Sequence, residues 1–273
     1  MPTFITSDDI SISYTDWGAL DAKPIVFTHS WALNGDAWDY VVADLLDGQH
    51  RCVTYDRRGH GRSGTAGYGY EFDRLAADLG ELIELLDLRD ITLVGHSMGC
   101  GELTRYLTNH GDDRVARVVL VSPLLPFLLQ TDDNPVGVPL EYVEASANAL
   151  RNDVPQWCEN NAAPYFGVNP TVSTGLTDWT ARQIISTPVK ALYDTMLLGA
   201  TTDFRAEVAK VAKPTLVLHG DADASTPLEL TGRPTTELVA GGELRVYPGA
   251  GHGIYASHHR ELAADITDFI ART

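Results

Sequence analysis

Lysine is nearly missing from this chain: Lys23, Lys190, Lys210 and Lys213 are all it has in 273 residues. With Lys+Arg 20 against Asp+Glu 37 the net charge is -17 with His neutral, and the pI is about 4.7. A field of that sign repels phosphate backbones and anionic headgroups, so neither nucleic acid nor a membrane is expected as a partner. Cysteine is equally sparse. Cys52, Cys100 and Cys158 form no CxxC pair and have no histidine at zinc-ligand spacing, which argues against a disulfide frame and against a metal site. They read as buried free thiols of a reducing compartment. No apolar run approaches the ~18–20 residues of a membrane span. The opening MPTFITSDDI has neither the basic start nor the apolar core of a signal peptide, so the expected location is cytoplasmic. Internal repeats, low-complexity tracts and Gly/Ser-rich linkers are missing too, and residues 1–273 read as a single domain.

What is present is an alternation of strands and helices. Runs 24–28, 51–55, 91–94, 117–121, 214–218 and 243–247 are short and β-branched, and several are apolar throughout, as strands covered on both faces must be. Residues 10–14 alternate instead, which suits an antiparallel edge strand. Phe72, Leu75, Leu79, Leu82 and Leu86 mark one stripe of a helix, with Arg74, Asp78 and Glu81 on its wet side. Leu262, Ile266, Phe269 and Ile270 mark another at the end of the chain. Strand, helix, strand in this order calls for an α/β fold with a mostly parallel sheet flanked by helices. Between 124 and 212 the alternation stops. That stretch carries three aromatic-bearing helical segments and no convincing strand, so it reads as a helical cap inserted between two sheet strands.

The chemistry concentrates in Gly95-His96-Ser97-Met98-Gly99, a G-x-S-x-G that follows a strand and opens a helix. A serine at such a turn takes a strained backbone conformation, its neighbours two residues away must be small, and its hydroxyl stands clear at the positive end of the helix. At neutral pH it needs a base, and the base needs an orienting carboxylate. The loop His219-Gly220-Asp221-Ala222-Asp223 follows a strand and offers two acids; the spacing from the glycine favours Asp223, leaving Asp221 as a surface or capping residue. Gly249-Ala250-Gly251-His252-Gly253 follows the last strand and offers His252. The other histidines fit less well: His96 points away from the serine in such a turn, His60 lies in another turn, His219 ends a strand, and His258 and His259 open the last helix. Two backbone N–H donors are also needed for the oxyanion of acyl transfer. Met98 supplies one and the loop after the first parallel strand the other, at Trp31. Leu124, Leu125, Phe127 and Phe166 are candidate pocket residues for a small, largely apolar substrate.

Taken together, FTHSWALNGDAW (27–38), YDRRGHGRSG (55–64), VGHSMGCGE (94–102), QTDDNPVGVP (130–139), TDFR (202–205), HGDADASTP and GAGHG resemble the cofactor-free, non-haem haloperoxidase and aryl esterase branch of the α/β-hydrolases, which includes γ-lactamases. The resemblance implies the α/β-hydrolase fold, Ser97 as nucleophile, Asp223 as acid, His252 as base, and Trp31 and Met98 as oxyanion donors. It also implies hydrolysis of small esters without a cofactor, side activity on lactones or amides, and peracid formation from carboxylate and peroxide. The Asp56–Ser63 run, which lacks the P-loop lysine, is by the same resemblance a structural network. Three departures stand out. Ser30 replaces a usual glycine, Ala32 replaces the proline of good perhydrolases, and Gly251 replaces a commoner proline and loosens the loop before His252. Perhydrolysis is therefore expected to be secondary. A lactonase, γ-lactamase or amidase with the same triad is the alternative, and a slow-turnover ligand receptor the reading from another class. The expected partner is a small-molecule ester or lactone; self-association into a homo-oligomer is left open.

Overall fold

The computed structural model describes residues 1–47, 50–167 and 172–273. Eight strands form one sheet: β1 (Thr3–Ile5), β2 (Ser11–Trp17), β3 (Pro24–Thr28), β4 (Arg51–Tyr55), β5 (Ile91–His96), β6 (Val115–Val121), β7 (Thr215–Gly220) and β8 (Glu243–Tyr247), in the order β1-β2-β4-β3-β5-β6-β7-β8. From β3 onward every pairing is parallel, whereas β1 on β2 and β2 on β4 are antiparallel. The strands read from sequence are all present, and the alternating run extends to Trp17. β1 went unread because three half-exposed residues leave too little pattern to distinguish from a loop.

Side-chain alternation sorts the sheet between two cores. Val26, Val53, Leu93, Val118 and Val217 face α2 (Phe72–Leu85) and α3 (Met98–His110). Ile25, Phe27, Val94, Val119 and Leu218 face α1 (Asp39–Asp47) and the C-terminal α11 (His259–Arg272). Between β6 and β7 lie α4 (Leu140–Asn152), α5 (Val154–Tyr165), α6 (Thr174–Ser186), α7 (Val189–Thr201) and the short α8 (Arg205–Val208), more helices than the three segments expected. The difference lies in the breaks. A single residue, Asp153, separates α4 from α5 and caps the latter by accepting from Gln156 N. Thr187 and Pro188 alone divide α6 from α7. After β7 come α9 (Gly232–Leu238), β8, α10 (Ile254–Ser257) and α11.

The connection leaving β3 runs to β4 on one side, whereas the one leaving its other neighbour β5 runs the opposite way to β6. An open parallel sheet places its crevice at such a switch, at the strands' C-terminal ends. The turn beyond β4 is a charged framework. Asp56 accepts from the Gly35 and Arg62 amides at 2.8 Å, and the fully buried Arg58 pairs with Asp78 at 2.6 Å and Asp8 at 2.8 Å. The guanidinium donors of Arg58 and Arg62 are all spent on carboxylates, as a structural role requires and a phosphate site would not.

All three cysteines are free and buried. Burial pushes the thiol of Cys52 up to about 12 and that of Cys158 up to about 11, and raises Cys100 as well. Among the described residues no helix is long and apolar enough to cross a membrane, and no three His, Cys, Asp or Glu side chains are grouped to hold a metal ion.

Candidate active site

Ser97 connects β5 to α3 with φ 55° and ψ -113°, in a region a non-glycine residue occupies only at a cost of about 1–3 kcal/mol. The surroundings hold it there. Its amide donates to the Val121 carbonyl at 2.9 Å, and its carbonyl accepts from Cys100 N at 3.0 Å. Gly99 must lack a side chain: a Cβ would lie 2.5 Å from the Thr28 carbonyl oxygen and 2.8 Å from that of His29. The first turn of α3 is thereby pressed against the loop leaving β3, and Thr28 Oγ1 donates to the Gly99 carbonyl at 2.9 Å. Met98 N–H, in that first turn, has no acceptor within the helix.

Asp223 and His252 meet across the loops after β7 and β8. His252 Nδ1 donates to Asp223 Oδ2 at 2.8 Å, which leaves the lone pair on Nε2. The carboxylate is otherwise saturated: Oδ1 accepts from the Ser225 and Thr226 amides at 2.9 Å, and Oδ2 accepts from Thr226 Oγ1 at 3.0 Å. Burial alone would raise the Asp223 carboxyl. The imidazoles of His252 and His219, both facing Oδ2, outweigh that and hold it far below the usual carboxylate range. Asp221 instead accepts from the Gly249 amide at 2.6 Å and ties the two loops together.

The remaining histidines are engaged elsewhere. His96 Nε2 donates to the His252 carbonyl at 3.0 Å, with the two rings 4.7 Å apart, and so steadies His252 from behind. His219 donates to the Thr226 carbonyl at 2.8 Å. His60 donates to the Arg58 carbonyl at 3.0 Å, and burial pushes it down to about 3. His259 pairs with Asp44 at 2.7 Å, away from Ser97. The bracing roles of His96, His219 and Thr226 were not read from sequence. The signal was faint: a polar residue at each of two strand ends, and a threonine three positions after the acid.

Ser97, Met98, Trp31 and His252 line one cavity of ≈ 390 Å³, roofed by residues of α4–α7. No Asp, Glu, Lys or Arg lines it among the described residues. Leu124 and Phe166 do line it, as expected. Leu125 and Phe127 do not. Leu125 is fully buried in the main core, and Phe127 is buried beneath Arg205, whose guanidinium carbon stands 5.0 Å from the ring centroid. Trp31 is anchored on the roof through its indole N–H, which donates to the Leu192 carbonyl at 3.0 Å. The left-handed residue of this loop is Ala32, with φ 63°, not Ser30. Proline fixes φ near -65°, so this loop path has no place for the proline of good perhydrolases.

Gly251 does the opposite of loosening its loop. Gly167 and Ala250 form an antiparallel bridge, and Gly253 N donates to the Tyr165 carbonyl at 2.8 Å. A Cβ on Gly251 would strike Gly167 N and lie 2.7 Å from the Tyr165 carbonyl oxygen, all backbone that cannot swing aside. The end of α5 is thus clamped to the residue before His252. Gly251→Ala is expected to lower kcat about 100-fold by displacing the imidazole by ~1 Å, and to destabilise the fold by roughly 1–3 kcal/mol through overpacking. Steady-state kinetics beside a thermal melt would check both; wild-type kcat would contradict the clamp.

The model of the alpha/beta hydrolase fold matches residues 23–258. A non-heme chloroperoxidase of Kitasatospora aureofaciens is 39% identical over 257 residues, covering 93% of each chain. A bifunctional esterase/perhydrolase of Acinetobacter calcoaceticus is 36% identical, over 97% of this chain and 98% of its own. The crystal structure of a bromoperoxidase from Bacillus anthracis superposes with a TM-score of 0.93 at 32% identity, over 99% of this chain and 100% of that one. With the serine turn, the Asp223–His252 bond and these likenesses in hand, the chain belongs to the α/β-hydrolase family, in its non-haem haloperoxidase and esterase branch.

Proposed function

We propose that this protein is a serine hydrolase of small, neutral carboxylic esters, acting through an acyl-enzyme. The carrying observation is the 2.8 Å bond from His252 Nδ1 to Asp223, which leaves Nε2 able to accept a proton in a residue that lines the same cavity as Ser97. His252 takes the Ser97 proton as the hydroxyl oxygen attacks the ester carbon. The Trp31 and Met98 amides receive the oxyanion, and His252 returns the proton to the departing alcohol. Water, deprotonated by the same imidazole, then releases the acid. Hydrogen peroxide in place of that water would give a peracid, a side activity that fits the likeness to an esterase/perhydrolase. Each step moves only protons and an acyl group between this chain's residues and its substrate. Residues 124–212 act in this reading as a cap that closes the apolar roof over the sheet ends.

The cavity wall favours a neutral substrate, since an ionised substituent buried there would find no Asp, Glu, Lys or Arg of opposite charge among the described residues. The net charge of -17 adds repulsion at long range. One preparation tested on aryl esters, lactones, γ-lactams and peroxide plus acetate decides the reaction class. Ester hydrolysis is expected to lead, with a dianionic ester at least ~10-fold slower in kcat/KM than its neutral analogue at low salt, the gap narrowing as salt is added. Lactone or lactam turnover above ester turnover would reassign the substrate. No turnover of any compound would leave the receptor reading.

A further inference from the structure

Arg57 is buried, lies just beyond β4, and uses every nitrogen it has. Nε donates to Glu102 Oε2 at 2.8 Å, Nη2 to the His29 carbonyl at 2.7 Å, and Nη1 to the Ser30 carbonyl at 3.3 Å. Its backbone N–H donates to His29 Nε2 at 3.0 Å, leaving His29 Nδ1 to donate to the same Ser30 carbonyl at 2.8 Å. Glu102, fully buried on α3, takes its other oxygen to the Tyr55 hydroxyl. Neither Arg57 nor Glu102 lines the cavity.

One guanidinium therefore joins two elements: α3, which carries the Met98 amide, and the β3 loop, which carries the Trp31 amide. The Ser30 carbonyl is the decisive acceptor. It shares a peptide plane with the Trp31 N–H, and in a trans peptide the two point in opposite directions. Whatever holds that oxygen inward aims that N–H outward. We propose that Arg57, anchored by Glu102, is a positioning residue for the oxyanion hole, fixing the orientation of the Ser30–Trp31 peptide and the separation of the two donors. The proposal rests on the reading of Trp31 and Met98 as oxyanion donors. His29 assists as a neutral ring: burial, and after it the Arg57 charge, holds it well below the usual imidazole range.

A buried ion pair could instead brace the fold alone, since breaking one destabilises whatever its place. Kinetics separates the two. Donors must lie within about 2.7–3.1 Å of the developing oxyanion, so a peptide that rocks loses transition-state binding and keeps ground-state binding. The test uses the full chain with Arg57→Lys, which retains the charge without the fork, and the near-isosteric Glu102→Gln should Arg57→Lys not fold. Arg58→Lys serves as control, because Arg58 is as buried but bonds Asp78 and Asp8 and not the β3 loop. For the test variant, kcat on an aryl ester should fall about 30-fold with KM within about twofold, and Ki for an alkyl boronic acid should rise by the same factor. Binding of an unreactive neutral amide should not change. Arg58→Lys should lower the melting temperature and leave both ratios at wild type. A folded test variant with wild-type kcat and boronate Ki would make the pair a brace only and overturn the proposal. Esterase activity surviving Ser97→Ala would overturn the underlying reading instead, a result distinct from the first.

Discussion

Ser97→Ala should lower kcat on an aryl ester by at least ~10⁴-fold, with KM little altered. The change removes one oxygen and leaves the backbone strain where it was, since alanine is no better suited than serine to φ 55°. The Ser97 amide and carbonyl keep their bonds to Val121 and Cys100, so the melting temperature should move by less than ~4 °C. Loss of turnover with an intact melt assigns the deficit to chemistry. A serine-directed phosphonate should label the wild type at Ser97 and leave the variant unmodified. Labelling elsewhere, or near-native turnover, would sink the mechanism.

Asp223→Asn should be nearly as damaging, at about 10⁴-fold in kcat. The amide oxygen of asparagine can still accept from the Ser225 and Thr226 N–H groups. Its NH2 then faces His252 Nδ1, which must accept, and the ring proton moves to Nε2. A ring protonated there cannot take the Ser97 proton. Binding should survive, so the loss should appear in kcat and not in KM. The native carboxylate behaves in the opposite way. Its folded value lies below the unfolded value of about 3.9, so the stability it contributes is fully present above that pH and drains away only as pH falls through the depressed folded value. Above about pH 4 no ionisation of Asp223 should therefore enter the rate profile. A carboxyl step in kcat/KM between pH 5 and 6 that vanishes in Asp223→Asn would contradict this.

Much of this could be read from the chain because the constraints are local. The strands announce themselves by apolar runs, since burial on both faces leaves no polar positions. The serine turn is legible because its geometry dictates small residues within two positions. Asp223 and His252 follow from chain order once the turn is fixed. Other features depend on residues distant in sequence. Arg57 and Glu102 are 45 positions apart, and nothing local to either one announces the other as its partner. Leu124 and Leu125 are indistinguishable by type and both pack into the main core, yet only Leu124 also reaches the cavity. Gly251 was misjudged for the same reason. Glycine signals freedom only where nothing fills the space of its missing side chain, and here the backbone at Gly167 fills it.

The buried cysteines have a practical side. A thiol near its ordinary pKa of about 8.5 is roughly one-tenth thiolate at pH 7.5, whereas one raised to about 11 is ionised on the order of once in three thousand molecules. Cys52 and Cys100 therefore stay dark to maleimide while the fold is intact, and Cys158, which lines the cavity, reacts slowly. Asp78 of α2 is buried against Arg58, whereas Glu84 near the end of that helix is exposed, and a single cysteine introduced there would be a far more reactive handle than any native thiol. A dye or surface tether could be attached there with Cys52, Cys100 and Cys158 left in place.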